Sequence, residues 1–135
     1  MKNKLKLVLV LLSLFAIGIT QLQGQGGTAR AVTQITSATT GVTINSSAGV
    51  ITTVSETTAA VTKTTFTVTN SAVQANSTVI AGIQNYSGTY ATNGIPVVTV
   101  SNVVAGAFDV NVVNVHAANA LAGTLAIGFL VQTTQ

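Results

Sequence analysis

The body of this chain offers little with which to do chemistry. Beyond residue 6 it holds two carboxylates, Glu56 and Asp109, two cations, Arg30 and Lys63, one histidine, His116, and no cysteine. General acid–base work by carboxyl groups needs two of them, or one and a base, within reach of one substrate. Glu56 and Asp109 lie on different segments, and Asp109 falls at a solvent-facing position of an alternating strand. A Ser-His-Asp set can be spelled from His116, Asp109 and many serines, but no G-x-S-x-G elbow accompanies it. A single histidine without thiolates cannot complete a zinc site, and calcium loops need clustered carboxylates. Gly24-Gln-Gly-Gly27 follows an apolar segment rather than a strand, so it is no phosphate cradle. The residues therefore point to a non-enzymatic protein with no catalytic, metal or cofactor-binding residue and no small-molecule substrate. The backbone-bonded loop histidine is the expected role of His116.

Charge excludes a further class. The net charge of +3 equals the contribution of Lys2, Lys4 and Lys6, and the rest of the chain is neutral. A nucleic-acid binder needs a basic face that displaces counterions. Two scattered cations do not form one. A neutral surface also lacks the repulsion that keeps copies apart, so the composition favours association.

One stretch has the composition of a recognition surface. QNYSGTYATNG (84–94) gathers Asn85, Tyr86, Tyr90 and Asn93 with small residues, a mixture that suits polar contacts to sugars or proteins. The other reading is a hairpin whose tyrosines cap the rim of the core. Sequons at Asn45, Asn76 and Asn85 matter only in a glycosylating host.

These residues must be positioned by strands. From Ala29 onward the apolar residues recur with period 2, and no segment of length keeps period 3.6. The expected strands are 31–36, 41–44, 49–54, 64–70, 77–84, 96–104, 107–115 and 121–131. In TTFTVTN, Phe66 and Val68 point one way and Thr65, Thr67 and Thr69 the other; Phe108, Val110 and Val112 alternate in the same manner. Half-buried strands of this kind belong to antiparallel sheets with one wet face. Asn45–Gly49, Asn93-Gly94 and Ala105-Gly106 supply turns. Pro96, the only proline, suits the first position of a strand or an edge. About eight short strands predict an all-β, antiparallel β-sandwich, jelly-roll-like, over residues 31–135, with a small barrel as the alternative. LAGTLAIGFLV is its most apolar run. Either this strand is buried on both faces or its outer face meets a partner copy, which makes Leu125, Ala126, Ile127, Gly128 and Phe129 a candidate self-association strand.

Residues 1–25 read as a separate unit, joined by a linker at 26–30. MKNKLK is a basic start, and fourteen apolar-rich residues follow from Leu7 to Thr20. That is the pattern of a secretory signal, short of the ~20 residues a spanning helix needs. The alternative is a retained N-terminal hydrophobic helix that holds residues 5–20 in a membrane.

The motifs TQITSATTGVTINSSAGVITT (33–53), TFTVTNSAV (65–73), VVAGAFDVNVVNV (103–115) and ALAGTLAIGFLV (120–131), in this order, resemble a small module of bacteriophage virion structural and fibre proteins. The resemblance spans residues 31–131 and implies a structural virion role without catalytic residues. Such modules normally lack an export segment, so the N-terminal helix suits a capsid-associated, spike or vertex protein held to a membrane. The resulting expectation is a virion protein that self-assembles, as a trimer if it is a spike, and contacts other virion proteins. The alternative is a secreted or surface-anchored bacterial adhesion or matrix module.

Overall fold

The structure, a computed structural model, describes residues 30–134. The expected N-terminal helix, the membrane contact of residues 5–20 and most of the linker lie outside the described residues. Arg30, placed in the linker by sequence, instead opens the first strand.

Among the described residues the protein is all-β. Eight strands run β1 Arg30–Thr33, β2 Val42–Thr43, β3 Ala48–Thr52, β4 Lys63–Thr69, β5 Ser77–Tyr86, β6 Pro96–Val104, β7 Ala107–Asn114 and β8 Leu125–Thr133, with no helix between them. They form two four-stranded sheets, β1-β3-β8-β5 and β2-β4-β7-β6. Pro96 opens β6, an edge strand, where its missing N–H removes no ladder bond.

The expectation of purely antiparallel pairing is corrected at two edges. β3/β8, β5/β8, β4/β7 and β6/β7 are antiparallel, but β1/β3 and β2/β4 are parallel. The chain alternates between sheets over its first six strands. β1 and β3 are thus separated by a passage through the opposite sheet, and such a crossover returns a strand in its original direction. An all-antiparallel jelly roll does not have these pairs.

Alternation sets the core. Phe66, Val68, Phe108, Val110 and Val112 from one sheet meet Ile51, Leu125, Ile127, Phe129 and Val131 from the other in one buried cluster. Phe108 and Phe129 touch with ring centroids 5.6 Å apart and planes at 54°. Gly49 faces this core from β3. A Cβ there would lie 2.7 Å from both Ile44 Cδ1 and Phe129 Cε1, and 2.9 Å from the Arg30 carbonyl oxygen. Glycine is thus what lets Phe129 and β1 close on β3.

The final strand starts later than its sequence suggests. Leu121–Thr124 carries apolar residues but is a connecting segment whose backbone bonds several loops: Leu121 N–H donates to Thr58 O at 2.9 Å, and Ser87 N–H donates to Thr124 O at 3.0 Å. Leu121 is buried as a plug rather than as a strand residue. Gly123 has φ +141°, and a Cβ on it would lie 2.5 Å from Gly88 N, so this contact between loops requires glycine.

Candidate functional site

The outer face of β1-β3-β8-β5 is built by the residues that alternate away from the core. Ala48 and Val50 project from β3, Ala126, Gly128 and Leu130 from β8, and Ile80 and Gly82 from β5. The register arranges them in rows. Val50, Gly128 and Gly82 lie side by side across three strands, and Ala48, Leu130 and Ile80 form the next row. The two opposed glycines leave a floor without side chains, which produces an open groove of about 440 Å³. The Gln84 amide lies over Gly128, where a Cβ would come within 2.5 Å of Nε2. Ile80 and Leu130 remain 57% and 45% exposed, and none of the outward-facing residues of this sheet is charged.

The candidate self-association strand is therefore divided between two faces. Leu125, Ile127 and Phe129 point inward and fill the core, so they are not available to a partner. Ala126 and Gly128 face outward into the groove region. β8 is a central strand, bonded on both edges, with one face buried and one open. Val50, Ile80 and Leu130 complete the outer surface. The period-2 pattern places Ile80 and Leu130 outward, but nothing in the sequence says that β5 lies beside β8.

The other sheet presents an unlike outer face. Thr65 Oγ1 donates to Asn111 Oδ1 at 2.8 Å, and Asn111 Nδ2 donates to Ser101 Oγ at 2.9 Å. One row on, Asp109 accepts from Thr67 Oγ1 at 2.7 Å and from Asn102 Nδ2 at 2.6 Å. These two bonds hold the Asp109 carboxyl below its usual range, the Asn102 bond foremost. Polar groups on this face satisfy one another across the strands, and the row on the other side of Asn111 carries Lys63, Val113 and the exposed Val97.

At one end of the fold the loops after β3, β5 and β7 gather around buried polar groups. Asn114 has no exposed surface. Its Nδ2 donates to Thr58 O at 3.0 Å and Asn119 O at 2.8 Å; its Oδ1 accepts from Ile95 N and His116 N, each at 3.1 Å. His116 Nδ1 accepts the N–H groups of Ala118 and Asn119, which closes a tight turn. Glu56 is fully buried, its N–H donating to Gly123 O at 2.8 Å. Burial pushes its carboxyl above the ordinary value, against the smaller effects of the Thr58 and Thr53 hydroxyls. Among the described residues, no group of three metal-ligating side chains is close enough to hold an ion.

The four residues of the recognition stretch separate here. Tyr86 is buried, and its hydroxyl accepts from Ala122 N at 3.1 Å and donates to Ala122 O at 3.4 Å. It caps the core. Tyr90 stands edge-on against it, centroids 5.4 Å apart, and is exposed. Asn93 Oδ1 accepts from Thr89 N at 2.8 Å and so holds its own turn, while Asn85 lies exposed at a bulge of β5. Sequence reasoning missed Asn114, although it shares parity with Phe108, Val110 and Val112 and so belongs on the inward side.

No family model, curated protein or solved structure matches the chain. No helix among the described residues is long and apolar enough to cross a membrane.

Proposed function

We propose that this is a non-catalytic structural protein that works by association of its own copies, in the virion setting that its motifs resemble, and that copies meet through the outer face of β1-β3-β8-β5. The two sheets are read as the halves of a β-sandwich, with the Phe108–Phe129 contact as the support for face-to-face packing. The N-terminal segment, by its composition, is the export signal or membrane hold of such a component.

The observation that carries this reading is the contrast between the outer faces. One is mostly a ladder of satisfied polar groups, with the Lys63 cation beside its exposed Val97. The other has exposed Ile80 and Leu130 and half-buried Val50 beside two glycines, with no charge among its outward-facing residues. Burying a full Leu or Ile side chain contributes about 1.5–3 kcal/mol, so covering half-exposed Ile80 and Leu130 contributes about 2 kcal/mol per copy. Close backbone approach over Gly82, where nothing overhangs the strand, adds dispersion contacts that a side chain would prevent.

Sedimentation of the intact protein over a range of concentrations tests this. The expected species is a discrete oligomer, a trimer for a spike, that dissociates in Ile80→Lys and Leu130→Lys while circular dichroism stays β-rich. A parent that is monomeric at all concentrations removes the proposal.

A further inference from the structure

Glu56 has no place in a self-association surface, yet it is the most anomalous group in the fold. It has no exposed surface, and Oε1 has no hydrogen-bond partner. Oε2 lies 3.2 Å from Thr58 Oγ1, which lies 2.6 Å from Thr64 Oγ1 on half-buried β4. Among the described residues no cation is among the influences on it, which are burial and the Thr58 and Thr53 hydroxyls; Lys63 opens neighbouring β4 and His116 lies in the β7–β8 segment. An isolated buried carboxylate is costly, and such groups stay neutral or reach water. A neutral acid fits the geometry. Oε2 accepts from Thr58 Oγ1, and the unpartnered Oε1 is left to carry the proton.

We propose that Glu56 is a proton-dependent clasp: as the neutral acid it stays buried where backbone bonds join the β3–β4 segment to the β7–β8 segment, and as the carboxylate it forces the two apart. Three bonds cross this contact or lean on it. They are Glu56 N–H to Gly123 O at 2.8 Å, Leu121 N–H to Thr58 O at 2.9 Å, and Asn114 Nδ2 to Thr58 O at 3.0 Å. Hydrating the ionised carboxylate means breaking the first two, which releases the Leu121 plug. The proton leaves to solvent hydroxide or buffer base, and the charge that remains is the carboxylate itself.

The direction follows from linkage. The unfolded chain loses this proton near the ordinary value of 4.5, and the folded chain loses it higher. Between the two, the folded state binds more protons, so stability falls as pH rises from about 4.5 through the folded value. Asp109 acts with the opposite sign, its contribution fading as pH drops below 3.8, so the two groups are separable.

The test uses the full-length protein. Thermal melts between pH 4 and 9 compare the parent with Glu56→Gln, which keeps the shape without the charge. Amide exchange at Glu56 and Leu121 is compared at each pH in the two proteins. The parent is expected to lose melting temperature with rising pH and to exchange these two amides at least tenfold faster than Glu56→Gln at high pH, with β4 and β7 amides alike in both. Parallel melting curves and equal exchange overturn the proposal. Should Glu56→Gln fail to fold, carbon-13 titration of the parent's Glu56 carboxyl decides. A midpoint at or below 4.5 overturns the clasp, and a midpoint well above it supports it.

Discussion

Replacing Asn114 by alanine isolates the hub that ties three loops together. The truncation removes four hydrogen bonds in one step: those from Ile95 N and His116 N, and those to Thr58 O and Asn119 O. A single bond contributes about 1 kcal/mol net, but a buried partner left unpaired costs about 1–3 kcal/mol. The Thr58 carbonyl is the most enclosed of the four, while the others lie where slight loosening admits water. We therefore expect a loss of about 3–5 kcal/mol, a large share of the ~5–15 kcal/mol that holds a domain together. At about 4–8 °C per kcal/mol for a domain near 100 residues, the melting temperature falls by some 12–40 °C. Urea unfolding by tryptophan-independent circular dichroism measures it, with the slope on denaturant unchanged if the folded state remains compact. Asn114→Asp adds a control. It retains the acceptor for Ile95 and His116 but loses both donors and places a charge beside two carbonyls, so it is worse than alanine at neutral pH and partly recovers in acid. A loss below about 1 kcal/mol for Asn114→Ala refutes the reasoning, because the loops would then be held by packing and water alone.

Two further substitutions probe the backbone. Val61 is a β-branched residue at φ +55° and 72% exposed, so Val61→Gly is expected to raise stability by about 1 kcal/mol, read as a rise in the denaturation midpoint. Gly49→Ala pushes a methyl group into Ile44, Phe129 and the Arg30 carbonyl, and a loss of about 1–3 kcal/mol is expected, with β1 amides exchanging faster than those of β4 in hydrogen exchange.

Much of the strand pattern was open to reading because single residues declare their face. Phe66 and Val68 against Thr65 and Thr67, or Phe108 and Val110 against Asp109, state which side of a strand is dry, and Pro96 states where one begins. Alternation does not state which sheet a strand joins. The parallel β1/β3 and β2/β4 pairs depend on crossovers whose direction no local residue encodes. Period 2 is equally silent on what an inward polar residue does. Asn114 and Glu56 look like ordinary polar residues because their burial arises from loops far apart in the chain. The apolar run before Leu125 misled for a related reason: Leu121 is apolar because it plugs a junction of loops. The division of Leu125–Phe129 between core and outer face followed from parity, whereas the groove beside Gly128 needed the neighbour β5, which parity cannot supply.

The position of β8 governs the order in which the fold can be built. It stands between β3 and β5, pairs with both, and supplies Leu125, Ile127, Phe129 and Val131 to the core. β3 and β5 have no ladder with one another, so this sheet has no centre until residues 125–133 arrive. The partner sheet is different, since β6 and β7 form a hairpin across a two-residue turn and β4 closes on β7 from earlier in the chain. Only the β6/β7 hairpin can zip from local contacts; β4 on β7, like β3 and β5 on β8, waits on a closure of long sequence separation, which is the slow step in chains of this kind. During that wait the apolar residues of β3 and β5 remain unpaired. A chain still on the ribosome consequently keeps β3 and β5 without their common partner until β8 is delivered.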